Sequence, residues 1–251
     1  MIDIDPPRPG LGRNLTHGLL DHLGKAIVMG RFDHHPFPTE AALAELHHVS
    51  RSVTREAVKM LTAKGLLSAR PRQGTMVEPV ASWNLFDPDV LRWLLERKFS
   101  VTLLRQFSEL RVAIEPEAAA LAAVIRNPAD LALISRGLDA MVDAECGTAD
   151  PLEADIAFHV AILQASRNPF YAHFREVIRT ALRTSIHFTN RIQGHTANIA
   201  DHRAVRDAIA AGDPEAARKA MRLLIADVLS LIDKANLSEQ PLAFSKLTTP
   251  E

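Results

Sequence analysis

Asp155 and His159 stand four residues apart, the spacing that puts two side chains on one face of a helix. Their neighbours Ile156, Val160 and Leu163 are apolar, so this helix is expected to be substantially buried. His202 opens a second amphipathic stretch, followed by Val205 and Ile209 at i+3 and i+7. One carboxylate and two imidazoles make a donor set for a divalent metal such as zinc. The same residues can equally form an Asp–His hydrogen bond on one helix without any ion. Arg111 sits in the run Glu109-Leu110-Arg111-Val112-Ala113-Ile114-Glu115. It offers either a salt bridge to Glu115 within its own helix or a guanidinium facing a pocket, where it would grip a carboxylate in bidentate fashion. A metal-bound water on Asp155, His159 and His202 would be the core of a hydrolase. That chemistry also needs a general base and an open cleft, and the sequence nominates neither.

A second set of residues points to a polyanion. Residues 51–72 hold six basic side chains (Arg51, Arg55, Lys59, Lys64, Arg70, Arg72) against one acid, Glu56. Such groups neutralise phosphates, and arginine reads guanine edges with two parallel donors. The start Ser50-Arg51-Ser52 brings hydroxyls and free amides to a helix N-terminus, where they can hold a phosphate.

The elements that must position these residues are legible from periodicity and punctuation. Leu15, Leu19, Leu23 and Ile27 predict a first helix that ends at Gly30. A short helix follows Pro38, with Leu43 and Leu46 apolar. Ser50 caps a third, with Val53, Ala57, Val58 and Leu61 inward and Gly65 as its stop. Residues 66–70 and 75–77, joined by a Pro-Arg-Gln-Gly turn, predict a β-hairpin. Three helices and a hairpin make a winged helix-turn-helix. Trp83, in a linker rich in proline, is expected to pack against a domain. Five Asx-Pro pairs (Asp87-Pro88, Asn127-Pro128, Asp150-Pro151, Asn168-Pro169, Asp213-Pro214) predict helix starts at 88, 128, 151, 169 and 214. In each, the Asx side chain caps the first turn, and the proline gives up an N–H that has no partner there. No alternating strand follows residue 88. The rest reads as an antiparallel all-α bundle of six or seven helices.

Composition bounds the rest. The chain has 251 residues, 47% hydrophobic and 24% charged, with a net charge of −1. One cysteine, Cys146, excludes a disulfide framework and a multi-cysteine zinc finger. No run of about 18 apolar residues predicts a membrane span, and Asp3, Asp5 and three prolines do not make a signal peptide, so a cytoplasmic protein is expected. Near-neutrality at first argues against nucleic acid. Residues 1–80, however, carry ten basic and eight acidic residues, and the remainder nineteen and twenty-two. The total is the sum of a basic head and a mildly acidic body. The expected organisation is a winged helix-turn-helix over 10–78, a linker over 79–88, an all-helical domain over 89–236 and a tail over 237–251.

Several segments resemble the GntR-type winged helix over about residues 12–78. They are Pro38-Thr39-Glu40, Leu43-Ala44-Glu45 and Val49-Ser50-Arg51-Ser52-Val53-Thr54-Arg55-Glu56-Ala57, with Leu61, Gly65-Leu66 and Gly74-Thr75-Met76-Val77. The resemblance implies contacts to double-stranded operator DNA from Ser50, Arg51, Ser52 and Arg55, and from Arg72, Gln73 and Gly74 in the wing. Phe37-Pro38 replaces the usual Leu-Pro, the turn Asp33-His34-His35-Pro36 is one residue short, and Ala41 stands where many members carry an arginine that contacts DNA. The operator sequence therefore does not carry over.

Residues 101–235 resemble the FCD ligand-binding domain of the FadR subfamily. The resemblance rests on Glu109-x-Arg111-x-x-Ile114-Glu115, Asp155-x-x-Phe158-His159, Ala165-Ser166-Arg167-Asn168-Pro169, and His202 with Ala208-Ile209, Gly212-Asp213 and Met221. Many such domains hold a metal with one aspartate and three histidines. Asp155, His159 and His202 match three of these ligands, and Leu224 stands at the fourth. Either water or an effector oxygen completes a weaker site, or no metal binds. His173, His187 and His195 lack the family spacing. Ser82-Trp83-Asn84-Leu85-Phe86-Asp87-Pro88-Asp89-Val90-Leu91-Arg92-Trp93 is similar to the linker segment of the galactonate-operon repressor group, whose members sense sugar acids. The implied effector is an aldonate or a related hexonate, with another small carboxylate sensed through a metal as the alternative. Arg111 would take its carboxylate, and Asp155, His159 and His202 its hydroxyls or a bridging metal. Arg183 and Thr189 would line the pocket. The function so implied is a homodimeric repressor of a sugar-acid operon, released by its effector.

Overall fold

The computed structural model describes residues 15–33, 35–70, 74–97, 101–183 and 198–238. The chain divides into two compact units, after residue 99. The first contains α1 (Leu15–Val28), α2 (Glu40–Leu46), α3 (Arg51–Ala63), β1 (Leu67–Arg70), β2 (Gly74–Val77), a 3-10 turn (Val80–Ser82) and α4 (Pro88–Arg97). The strands pair antiparallel, with Leu67 opposite Val77 and Arg70 opposite Gly74. This is the expected winged helix-turn-helix.

Its core follows from the apolar stripes. Leu19, Leu20, Leu23 and Ile27 of α1 meet Leu43 of α2, Ala57, Val58 and Leu61 of α3, and Leu66 and Leu67 at the hairpin. Thr39 caps α2 by accepting from the Ala42 amide, and Ser50 caps α3 by accepting from Val53. Gly65 ends α3 at φ +78°, and a Cβ there would lie 2.3 Å from the Ser82 carbonyl oxygen, so both conformation and space call for glycine. Trp83 is buried as expected, its Nε1 donating to the Glu78 carbonyl at 2.8 Å.

Helix α4 differs from expectation. The sequence places it in the second domain, yet it packs on α1 in the first unit. Trp93 is the cause. It is 1% exposed, its ring lies against Gly24, and its Nε1 donates to Asp21 at 2.7 Å. Arg92 reaches the same carboxylate at 2.8 Å. Burial pushes Asp21 upward, but the donors Trp93, Arg92 and Lys25 more than offset it and hold the carboxyl below its usual range. Lys64, at the end of α3, bonds Asp87 and Asp89 at the start of α4.

The second unit is all helical. It contains α5 (Val101–Ile125), α6 (Pro128–Glu145), α7 (Pro151–Ala165), α8 (Pro169–His173), α9 (residues 175–183), α10 (Ile199–Ala211) and α11 (Pro214–Ser238). All five Asx-Pro starts fall where expected. A turn at Phe174 interrupts the helix that starts at Pro169, so eight helical segments follow residue 87 among the described residues. Helix α7 is buried on nearly every side and packs on α6 and α5, while α10 and α11 close the bundle against α5. Gly137 permits the α6–α7 approach, because a Cβ there would lie 2.9 Å from the Phe158 backbone. Among the described residues, no helix is long and apolar enough to cross a membrane.

Candidate functional site

In the first unit, Ser50, Arg51, Ser52 and Arg55 lie together on the exposed face of the first turns of α3, with Lys59 one turn further on. Thr54, between them, turns inward and donates to the Ser50 carbonyl at 3.3 Å. Gly74 opens β2 at φ +81° with nothing within 4 Å of a Cβ, an open position at the wing. Arg72 and Gln73 lie outside the described residues. Lys64 belongs to the basic run by sequence but not by position. Its ammonium is held at 2.7 Å by Asp87 and 3.0 Å by Asp89, so it serves α4 instead of the exposed face. Arg70 is exposed and lies 3.8 Å from Glu78.

In the second unit, three helices bring their polar side chains to one buried point. Asp155 and His159 come from α7, and His202 from the first turn of α10. Their ligand atoms all lie within 4.8 Å of one another, the one such group among the described residues. His159 Nε2 is 3.3 Å and His202 Nε2 3.1 Å from the same atom, Asp155 Oδ1. Each imidazole is oriented from behind. His202 Nδ1 donates to the Asn198 carbonyl at 2.7 Å, and His159 Nδ1 donates to Glu115 Oε2 at 2.5 Å. Phe158 meets both rings edge-on, at 5.8 Å and 5.1 Å.

Arg111 and Glu115 of α5 complete the cluster. Arg111 Nε donates to Glu115 Oε1 at 2.6 Å, while its Nη2 lies 3.4 Å from His159 Nε2. Both residues are at most 2% exposed. Burial pushes the Glu115 carboxyl up, but the Arg111 and His159 charges pull it down to about 2. Asp155 is likewise driven well below the carboxylate range by His159 and His202, against its burial. For His159, burial is opposed by the Glu115 charge and by bonds to Asp155 and Glu115, and its pKa rises to about 9. A charged His159 and Arg111 thus balance two carboxylates, the pairing that buried charge requires.

This geometry fits a divalent metal in one specific respect. Both histidines commit Nδ1 to an acceptor and turn Nε2 toward a single carboxylate oxygen. A metal-ligating histidine is normally braced in this way by an acceptor behind it. Asp155, His159 and His202 would hold the ion. Leu224, where the sequence resemblance implies a fourth ligand, is buried and offers no ligand atom.

Of the expected effector contacts, Arg111, Asp155, His159 and His202 are brought together. Arg183 instead pairs with Glu153 at 2.6 Å, with 52% of its side chain exposed. Thr189 lies outside the described residues, as do His187 and His195. Glu115 is the site residue that sequence pattern alone underrates: its place four residues after Arg111 signals the salt bridge but not the bond to His159.

A winged helix-turn-helix with an exposed basic α3, joined in one chain to a helical bundle, is the arrangement of a DNA-binding regulator with a second, separate domain. The pattern of the bacterial regulatory proteins of the gntR family matches residues 15–77, and that of the FCD domain matches residues 106–227. The galactonate operon transcriptional repressor of Escherichia coli (strain K12) is 35% identical over 85% of this chain and 94% of its own. The HTH-type transcriptional regulator LutR of Bacillus subtilis (strain 168) is 32% identical over 75% of this chain and 89% of its own. A solved structure of Lar, which controls expression of the Listeria monocytogenes agr system, shares the fold. Its TM-score is 0.56 at 20% identity, over 88% of this chain and 98% of that one. The chain belongs to the GntR family and carries an FCD domain, as in the FadR subfamily. It is a transcriptional regulator and not an enzyme, which removes the hydrolase alternative.

Proposed function

We propose that this protein is a homodimeric repressor of a sugar-acid catabolic operon, released from its operator when an aldonate such as galactonate enters the helical unit. The observation that carries this reading is the buried group of Arg111, Asp155, His159 and His202, in a chain 35% identical to a galactonate operon repressor. Arg111 presents Nη2 to the cluster and takes the effector carboxylate. Asp155, His159 and His202 receive hydroxyls, or hold a divalent metal that would anchor effector oxygens as a Lewis acid. The apolar Leu224 leaves the fourth position to water or to the effector itself. Arg183 and Thr189 belong to this reading as outer contacts.

Two winged helices in a dimer read two half-sites of a near-palindrome, with Ser50, Arg51, Ser52 and Arg55 at each major groove and the wing residues Arg72, Gln73 and Gly74 beside it. The effector acts by favouring a dimer arrangement that no longer fits the operator, and its differential affinity for the two arrangements limits the response.

The test is fluorescence anisotropy on operator DNA selected from genomic fragments by the full chain. Galactonate, gluconate, lactate and acetate are titrated with zinc and with a chelator. Release by one hexonate supports the reading. Release by lactate alone moves the protein to another carboxylate class, and undiminished DNA binding with every acid overturns effector release.

A further inference from the structure

Glu115 stands between the two halves of the cluster, and each of its oxygens has a different partner. Oε1 accepts from Arg111 Nε at 2.6 Å, and Oε2 accepts from His159 Nδ1 at 2.5 Å. The residue is 1% exposed, so water does not compete for either oxygen. We propose that Glu115 is a positioning residue that sets the affinities of the two halves in opposite directions, raising that for a cation at His159 and lowering that for an anion at Arg111. The proposal rests on the sugar-acid and metal reading of the site, and adds how the two binding functions are linked.

The cation half follows from direction and charge. By accepting the Nδ1 proton, Glu115 fixes the His159 ring with Nε2 toward Asp155 Oδ1, 3.3 Å away. A carboxylate behind an imidazole also raises its basicity toward a metal. The anion half follows from Arg111, which is 2% exposed and has Glu115 as its neutralising partner at contact distance. Its Nη2 still faces the cluster, 3.4 Å from His159 Nε2. An incoming carboxylate therefore meets a guanidinium whose charge is already balanced. If Glu115 loses its charge, the buried guanidinium is left uncompensated and attracts an anion more strongly.

Glu115→Gln is close to isosteric but uncharged, and its amide has one acceptor where the native group serves two donors. Whichever way it turns, an NH2 faces either Arg111 Nε or His159 Nδ1. The experiment uses the full chain and two probes. Zinc chloride is titrated calorimetrically, and acetate is scored in metal-free protein by its effect on the melting temperature. Acetate is chosen because it needs only Arg111.

The expected result is zinc binding weakened about 10- to 100-fold, the usual scale for losing such a partner, with a larger acetate-induced rise in melting temperature than in the wild type. General loosening of the fold would weaken both. Glu115→Asp retains the charge beside Arg111, so its acetate response should stay near wild type, while its shorter side chain holds His159 less firmly and zinc binding falls by less than in E115Q. Losses of the same sign, or no change in E115Q, overturn the proposal. A wild type that binds no zinc refutes the metal reading, and the acetate response then decides the role of Glu115 alone. Acetate binding unchanged by E115Q would overturn it.

Discussion

Gly24→Ala should destabilise the first unit, although the substitution favours a helix in isolation. A Cβ at position 24 would lie 2.4 Å from two atoms of the Trp93 ring and 2.6 Å from a third. Carbon atoms rest at about 3.5–4.0 Å, so one partner must move by more than 1 Å. Trp93 is poorly placed to yield, being 1% exposed and tied to Asp21 at 2.7 Å. Overpacking of this kind costs about 1–3 kcal/mol. Against it stands the helix preference of alanine over glycine, about 1 kcal/mol. A net loss of about 1–2 kcal/mol is expected. Trp93→Phe removes the outer ring atoms and the hydrogen bond, and in that background the same alanine should stabilise by up to about 1 kcal/mol. The sign reversal, a coupling of about 2–3 kcal/mol, is the signature of direct contact. The assay is urea unfolding followed by tryptophan fluorescence. Both tryptophans, Trp83 and Trp93, lie in the first unit, and Trp83 still reports when Trp93 is replaced. A Gly24→Ala protein as stable as wild type, or equal effects in the two backgrounds, would refute the packing of α4 on α1.

Three further outcomes are expected. His47 is buried against His22, with ring centroids 5.0 Å apart, and burial together with the His22 and His48 charges lowers its pKa to about 4. A histidine depressed in the folded state takes up its proton on unfolding. Stability of the first unit should therefore fall as pH drops from about 6.5 toward 4, and His47→Gln should flatten the dependence in fluorescence-detected unfolding. Leu224→His restores a fourth imidazole at the family position, so zinc titration should show tighter binding. Unchanged affinity would place position 224 out of reach of the cluster. Arg55→Ala should weaken binding to operator and random DNA alike and lower the salt slope by about 1 in anisotropy titrations, as expected for a phosphate contact. A loss confined to one operator position would instead make Arg55 a base reader.

Local rules predicted what local physics controls. Each Asx-Pro pair starts a helix because capping and the missing proline N–H act within one turn. The stripe of α1 and the Ser50 cap located the winged helix for the same reason. Asp155 and His159 are legible together because they share a helix face, and His202 stands out as a polar residue at the start of a second amphipathic helix, a link the family resemblance strengthens. Long-range pairing was hidden. The home of α4 depends on a glycine and a tryptophan brought together across the unit, with a Trp93–Asp21 bond spanning 72 residues. Lys64 looked like part of the basic face until Asp87 and Asp89 claimed it. The pairing of Arg183 with Glu153, on another helix, was hidden in the same way. Glu115 was read as a partner of Arg111 alone, because its second oxygen reaches a histidine 44 residues away.

The central claim is that one buried point on α5, α7 and α10 receives the signal. Anomalous diffraction from crystals of the full chain grown with zinc and galactonate tests it most directly. The account predicts an ion bonded to Asp155, His159 Nε2 and His202 Nε2, with the sugar-acid carboxylate against that ion and Arg111. An ion held elsewhere, or galactonate bound away from Arg111, would contradict it.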